Sequence, residues 1–156
     1  MLATRPTFPA QVTTAMMELE IPDSELDIDH NQVGRYEGRL FSGIVYDLWP
    51  DGKRRCEIPY VEGAQEGTAR EWYASGRLAG ETEYRNGGLH GKQREWDEEG
   101  RLRLEKIHEY GILIERRAWD KEGYLIAQSR LTPEHPNYEI LESYRRLNSP
   151  AEKNPQ

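Results

Sequence analysis

Carboxylates recur along this chain at a fixed interval. Asp47, Glu71 and Glu95 stand 24 residues apart, and so do Glu57, Glu81 and Glu105. Paired acids can serve as general acid and base in glycoside hydrolysis, which needs the two groups roughly 5 to 9.5 Å apart. If the interval spans two strands of a sheet, successive acids of a series sit about 10 Å apart, slightly too far for that chemistry. Asp27, Asp29 and Asn31 match the first three ligand positions of a calcium loop. The match then fails, because Gln32 stands where the sharp turn needs glycine and Gly38 where a bidentate glutamate is needed. The segment reads instead as an ordinary acidic strand. The histidines His30, His90, His108 and His135 have no cysteine or second histidine at ligand spacing. Cys56 falls in a strand-like run and reads as a small packing residue rather than a nucleophile. No serine sits in a nucleophile elbow. The expectation is a non-catalytic binding protein without metal or cofactor.

The acids belong to a larger periodicity. Gly63, Gly87 and Gly111 are 24 residues apart, as are Gly43, Gly67 and Gly91, and a third series runs Gly52, Gly76, Gly100, with Gly123 one residue early. Leu48, Trp72, Trp96 and Trp119 lie four residues before the third glycine, Leu78, Leu102 and Leu125 two after it, and Tyr60, Tyr84 and His108 form another rung. A fixed period of this length marks a repeat architecture, in which each unit buries its face only by stacking on the next. Each unit reads as a hairpin, for example strands over 67–73 and 78–84, closed by turns such as Ala74-Ser75-Gly76 and linked by turns such as Asn86-Gly87-Gly88. About eight strands without a crossover form an antiparallel meander extending about 35 to 40 Å.

Trp72 shares a face with Leu78 or not according to whether the hairpin loop has five or four residues, and the five-residue register is chosen because it gathers the Trp and Leu rungs into one apolar stripe. The opposite face would then carry all six periodic acids, with Arg55, Arg103 and Arg116 among them. Those acids are either a solvated face of cross-strand ion pairs or a docking surface for a basic protein, joined by Asp27 and Asp29. The aromatic column of Trp72, Trp96, Trp119, Tyr60 and Tyr84 is either the core of its own sheet or an interface.

Composition agrees with a thin structure. Hydrophobic residues make up 36% of the 156 residues, mean hydropathy is −0.92, and thirteen of the fifteen aromatics are Trp or Tyr, whose polar tips tolerate half-exposure. A net charge of −7 disfavours nucleic acid and anionic membrane as partners and favours a basic one. The single cysteine and the lack of an apolar run in the opening MLATRPTFPA point to a reducing, cytoplasmic setting. The expected organisation is a partly disordered segment over 1–23 and one repeat domain over 24–147, followed by a flexible tail over 148–156. Within the domain the units cover about 38–62, 63–86, 87–110 and 111–131. Ser24 to Asn31 serves as an acidic leading edge strand. A helix over 137–147, capped by Asn137, covers the last strand, because an array's open edge needs a terminal cap.

The unit xGxxxGxxxxWYxxGxLxxExxY is carried here by Gly63, Gly67, Trp72, Tyr73, Gly76, Leu78, Glu81 and Tyr84, and again by Gly87, Gly91, Trp96, Gly100, Leu102 and Glu105. It resembles the MORN-repeat variant of bacterial antitoxin-like and immunity-like proteins. The likeness extends from Leu26-Asp27-Ile28-Asp29 through Gly38, Gly43 and Tyr46 to Tyr110-Gly111-Ile112-Leu113 and Pro136-Asn137-Tyr138. The fourth unit departs from it, with Glu115 in place of the second glycine. What the resemblance implies is an immunity protein that occludes a protein toxin encoded by an adjacent gene and expected to be basic. General scaffolding, association with a membrane, or a carbohydrate-binding surface on the Trp and Tyr column are the alternatives.

Overall fold

The structure is a computed structural model that describes residues 19–149. The parts of the expected N-terminal segment and tail at 1–18 and 150–156 lie outside the described residues. Four units of paired strands dominate the chain: β5 (Gly43–Leu48) with β6 (Arg54–Val61), β8 (Gly67–Trp72) with β9 (Leu78–Arg85), β10 (Gly88–Trp96) with β11 (Leu102–Glu109), and β12 (Ile112–Trp119) with β13 (Leu125–Arg130). They lie side by side in sequence order, the expected meander of eight antiparallel strands. β1 (Glu20–Pro22) adds to the β5 edge in parallel, and β7 (Ala64–Gln65) pairs with the end of β6. β2 (Asp27–Ile28), β3 (Gly34–Tyr36) and β4 (Arg39–Leu40) form a separate three-stranded sheet. The edge strand is therefore Glu20–Pro22. The segment from Ser24 to Asn31, expected there, begins in a 3-10 turn over Asp23–Glu25 and then pairs away from the main sheet.

Two kinds of turn repeat, and each explains a glycine series. Within units the loop runs over five residues. Tyr73 N donates to Arg77 O at 2.9 Å while Gly76 N donates to Tyr73 O at 2.8 Å, and Trp49, Asp97 and Asp120 start the same pattern. Between units the two turn residues both have positive φ, for example Glu62 at 49° and Gly63 at 81°, which is the type I′ geometry that matches the twist of the flanking strands. These linking turns stack on one another. Gly63, Gly87 and Gly111 donate to the carbonyls of Phe41, Gln65 and Leu89 at 2.8, 2.9 and 2.8 Å. The preceding residue of each turn donates to a side chain from the unit before: Glu62 N to Ser42 Oγ at 2.8 Å, Asn86 N to Glu66 Oε2 at 2.6 Å, and Tyr110 N to His90 Nδ1 at 3.3 Å. At the opposite end Trp49 Nε1, Tyr73 Oη and Arg103 Nε reach the carbonyls of Trp72, Trp96 and Trp119 at 3.0, 2.7 and 2.9 Å. The array is laced along both margins.

Burial concentrates at the first unit. Ile21, Phe41, Val45 and Tyr60 form a small core, with Leu26, Tyr36 and Ile58 packed against it, so the three-stranded sheet lids the first hairpin. Gly34 N donates to Gly63 O at 2.8 Å, and Phe41 N donates to Gly34 O at 3.0 Å, which ties lid, linker and first linking turn together.

At the other end the helix forms as expected, over Pro136–Asn148, here α1. Its cap is His135, whose Nδ1 accepts from Asn137 N at 3.2 Å, rather than Asn137 itself. The helix buries Leu141, stacks Tyr144 on Tyr110 at 5.5 Å between centroids, and grips Glu109 with two hydrogen bonds from Arg145 at 2.9 and 2.7 Å. It thus docks on the linking turn between β11 and β12. It leaves Leu125 and Ile126 of the last strand 49% and 63% exposed, so the expected cover over that strand is not there.

The Arg145 hydrogen bonds hold the Glu109 carboxyl below its ordinary 4.5, against the opposing effect of burial. A carboxyl lowered on folding adds stability above its ordinary value, and that stability is lost as pH falls through the lowered one. Protection of the amides across 138–147, relative to their intrinsic exchange rates, should therefore be high at pH 6 and fall as pH drops below the ordinary carboxyl value, before that of the β9 and β10 amides. Simultaneous loss in both regions would show that this ion pair does not hold the helix.

Candidate functional site

The register decides which side chains share a face. Trp72 pairs with Leu78, Trp96 with Leu102 and Trp119 with Leu125, as the five-residue loop requires. Immediately beyond, the pairing slips by one residue in every unit, between Asp47 and Leu48, Glu71 and Trp72, Glu95 and Trp96, and Ala118 and Trp119. The extra residues are Arg55, Ala79, Arg103 and Ile126. A bulge of one residue exchanges the faces of everything that follows it. The six acids consequently do not share one face.

One face carries a continuous ladder. Cross-strand partners run Tyr46, Glu57, Arg70, Glu81, Arg94, Glu105, Arg117, Gln128 across all eight strands. Charges alternate along it. Arg70 bridges Glu57 and Glu81 at 3.1 Å each, Arg94 bridges Glu105 at 2.9 Å, and Arg117 reaches Glu105 at 3.6 Å and also pairs with Glu115. The hydrogen bonds from Glu57 and then Glu81 raise the Arg70 guanidinium further above its ordinary value. Trp72, Trp96 and Trp119 lie on this face, half-buried, two residues beyond Arg70, Arg94 and Arg117. The arginines recur at 24 and then 23 residues, a signal the acids and aromatics overshadow in the sequence.

The other face carries Asp47, Cys56, Glu71, Gly80, Glu95, Leu104, Ala118 and Ala127 in one row. Tyr60, Tyr84 and His108 also lie here, each directly opposite a glycine, at Gly43, Gly67 and Gly91. All three glycines have positive φ, at 153°, 102° and 107°, and the pairing links two of the sequence series physically. The aromatic column is thus divided, with its tryptophans on one face and Tyr60 and Tyr84 on the other. Burial pushes the Tyr60 and Tyr84 hydroxyls up from their ordinary values and the Cys56 thiol likewise, so that thiol holds little thiolate at neutral pH.

In the middle of this second face is a shallow basin of about 450 Å³, lined among others by Ala69, Glu71, Gly80, Tyr84, Glu95 and Arg103. Gly80 has ordinary strand backbone, and an added Cβ there would meet only atoms at 3.6 Å or beyond. Its bare position separates Glu71 from Glu95 across three strands. Asp47 is bridged by Arg55 at 2.6 Å, whereas among the described residues neither Glu71 nor Glu95 has an ion pair, and both are exposed. Asp27 is exposed on β2, and Asp29 closes its own turn by accepting from Asn31 N at 2.8 Å and Val33 N at 3.0 Å. Among the described residues no group of three or more His, Cys, Asp or Glu could hold a metal ion, and no helix is long and apolar enough to cross a membrane.

A single-layer meander of stacked hairpins, punctuated by these three glycine series, is an array of MORN-type repeats. Residues 65–86 match the MORN repeat variant. Over 108 residues the chain is 45% identical to "Immunity protein YwqK" of Bacillus subtilis (strain 168), an alignment covering 69% of this chain and 70% of that protein. The chain belongs to this family of MORN-variant immunity-like proteins. Among solved structures, a chain of the "Crystal structure of GtfA/B complex bound to UDP and GlcNAc" gives a TM-score of 0.24 at 13% identity, covering 83% of this chain and 28% of that one, a likeness too distant to bear on the fold.

Proposed function

We propose that this protein neutralises a protein toxin by binding and occluding it, without catalysis, through the face that carries the basin. The toxin is basic at its contact surface and encoded beside this gene. The observation that supports this most is the division of the acids. Glu57, Glu81 and Glu105 are engaged by arginines of the same sheet, while Glu71 and Glu95 flank an open, glycine-floored depression beside Tyr84 and have no such partner among the described residues. Unpaired carboxylates beside a tyrosine suit a Lys or Arg side chain of a partner, with the ring supplying apolar contact and the acids steering approach. Family membership and the charge of −7 point the same way. A cytoplasmic setting suits the lone cysteine.

The test is co-expression with the product of the neighbouring gene. An equimolar complex that survives size exclusion, with the toxin's activity lost, is expected. Separate elution of the two chains at micromolar concentration would sink the proposal. The basin itself is probed by Gly80→Val. Valine suits strand backbone and its Cβ meets nothing nearer than 3.6 Å, so the melting temperature should stay within a few degrees while the dissociation constant rises about tenfold.

A further inference from the structure

We infer that the free edge of β13 pairs with the same edge of a second copy, making a two-fold dimer whose sheets run on into one another. Three observations support it. First, the edge is open. Tyr124, Leu125 and Ile126 are 71%, 49% and 63% exposed, no described strand lies beyond β13, and the strand has no proline or lysine and no charge before Arg130. Edges left alone are normally blunted by such residues or by a bulge, and the bulge of β13 at Ile126 leaves the run from Ala127 to Arg130 regular. Second, its backbone is in phase for pairing. Glu115 sits opposite Arg130 while Leu131 N donates to Ile114 O at 2.9 Å, which makes Glu115 and Arg130 a non-hydrogen-bonded pair. The N–H and C=O of Arg130, and of Gln128 two residues before it, therefore point away from β12. A two-fold axis through Gln128 lets the two copies exchange hydrogen bonds at that residue.

Third, electrostatics select the occupant. Residues 111–131 carry Arg116, Arg117, Lys121 and Arg130 against Glu115, Asp120 and Glu122, a local charge of +1 in a chain of −7. A basic partner gains nothing from this end, whereas two copies meet here without the repulsion they feel elsewhere. The opposite edge, β1, is three residues long and ends in Pro22, so pairing there does not propagate and the assembly closes as a dimer rather than a fibre.

One strand pair buries a small interface, so the dimer is expected to be weak, with a dissociation constant on the order of 10 μM. Sedimentation velocity from 2 to 500 μM (about that constant on either side) tests it. The wild type should shift from monomer to dimer across the series. Gln128→Pro, which removes an outward N–H, and Ile126→Lys, which charges the edge without touching the backbone, should each stay monomeric with an unchanged circular dichroism spectrum. A wild type that is monomeric throughout overturns the inference, and so does a dimer that both variants retain. If the wild type is monomeric and Ile126→Lys weakens the toxin complex instead, the edge serves strand addition by the partner and self-pairing is excluded.

Discussion

Reversing the two open carboxylates, Glu71→Lys with Glu95→Lys, is expected to weaken toxin binding by about 100-fold, roughly 3 kcal/mol, with little change in stability. The size follows from placing like charges opposite a basic contact at two points, where each contributes both lost attraction and new repulsion. Stability should hold because neither side chain has an ion pair among the described residues and both are exposed. The informative control is on the ladder face. Glu81→Gln removes a carboxylate from the same repeat, but that carboxylate faces Arg70 at 3.1 Å, and the change should alter binding less than threefold while costing a few tenths of a kcal/mol of stability. Isothermal titration of the wild type, the double variant and Glu81→Gln against the toxin reads the contrast. Equal losses from both faces would contradict the division of acids on which the binding account rests.

Gly63→Ala should be strongly damaging, lowering stability by about 3 kcal/mol and the melting temperature by roughly 6 to 12 °C. Gly63 has φ of 81°, where an alanine costs about 1 to 2 kcal/mol on its own. A Cβ would also sit 2.9 Å from Gly34 O and 2.7 Å from Val33 Cγ1, at the junction where the lid joins the array. Neither neighbour yields easily, since Gly34 is buried and donates to Gly63 O. Gly76→Ala separates the two causes. Its φ is 86° and nothing lies within 4 Å of the added atom, so only the backbone penalty of about 1 to 2 kcal/mol should remain. Thermal melts of the two variants give the difference directly, and equal melting temperatures would show that the lid does not depend on this approach.

The repeat period was legible because each glycine answers a separate physical demand that sequence records. Gly76 and its series close five-residue loops, and Gly63 and its series supply the positive φ of the linking turns. Gly67 and its series sit opposite Tyr84 and its rung. The Trp72 and Leu78 pairing was legible only as a choice between a four- and a five-residue loop, made because five residues bring both large apolar groups to one face. The face of the acids was not. It depends on a single extra residue in each unit, and Arg55, Ala79, Arg103 and Ile126 share no chemistry that would mark them as bulged. A strand that alternates without interruption puts Glu81 opposite Leu78, whereas the bulge at Ala79 puts them together. The linking acceptors Ser42, Glu66 and His90 escaped notice for the same reason: three different side chains do one job. The position of α1 was legible only as an amphipathic segment, because its docking on Tyr110 and Glu109 depends on where the last turn lies in space.

The departure at Glu115 also has a structural consequence. Where the earlier units oppose a glycine to an aromatic ring, Glu115 opposes Arg130 and pairs with Arg117, so the rung of rings stops at His108. The final hairpin is held by charge and backbone instead, which leaves its outer strand the barest in the array.

The most direct measurement for an occluding, non-catalytic protein is the stoichiometry of protection. Toxin activity is followed at fixed toxin concentration, well above the dissociation constant, while this protein is added in increments. Occlusion requires a straight fall that reaches zero at one molecule per toxin, unchanged by longer incubation and reversed when the complex is dissociated. Progressive loss of activity at a small fraction of that ratio, deepening with time and surviving removal of this protein, would mean that it alters the toxin chemically, and the account would be wrong.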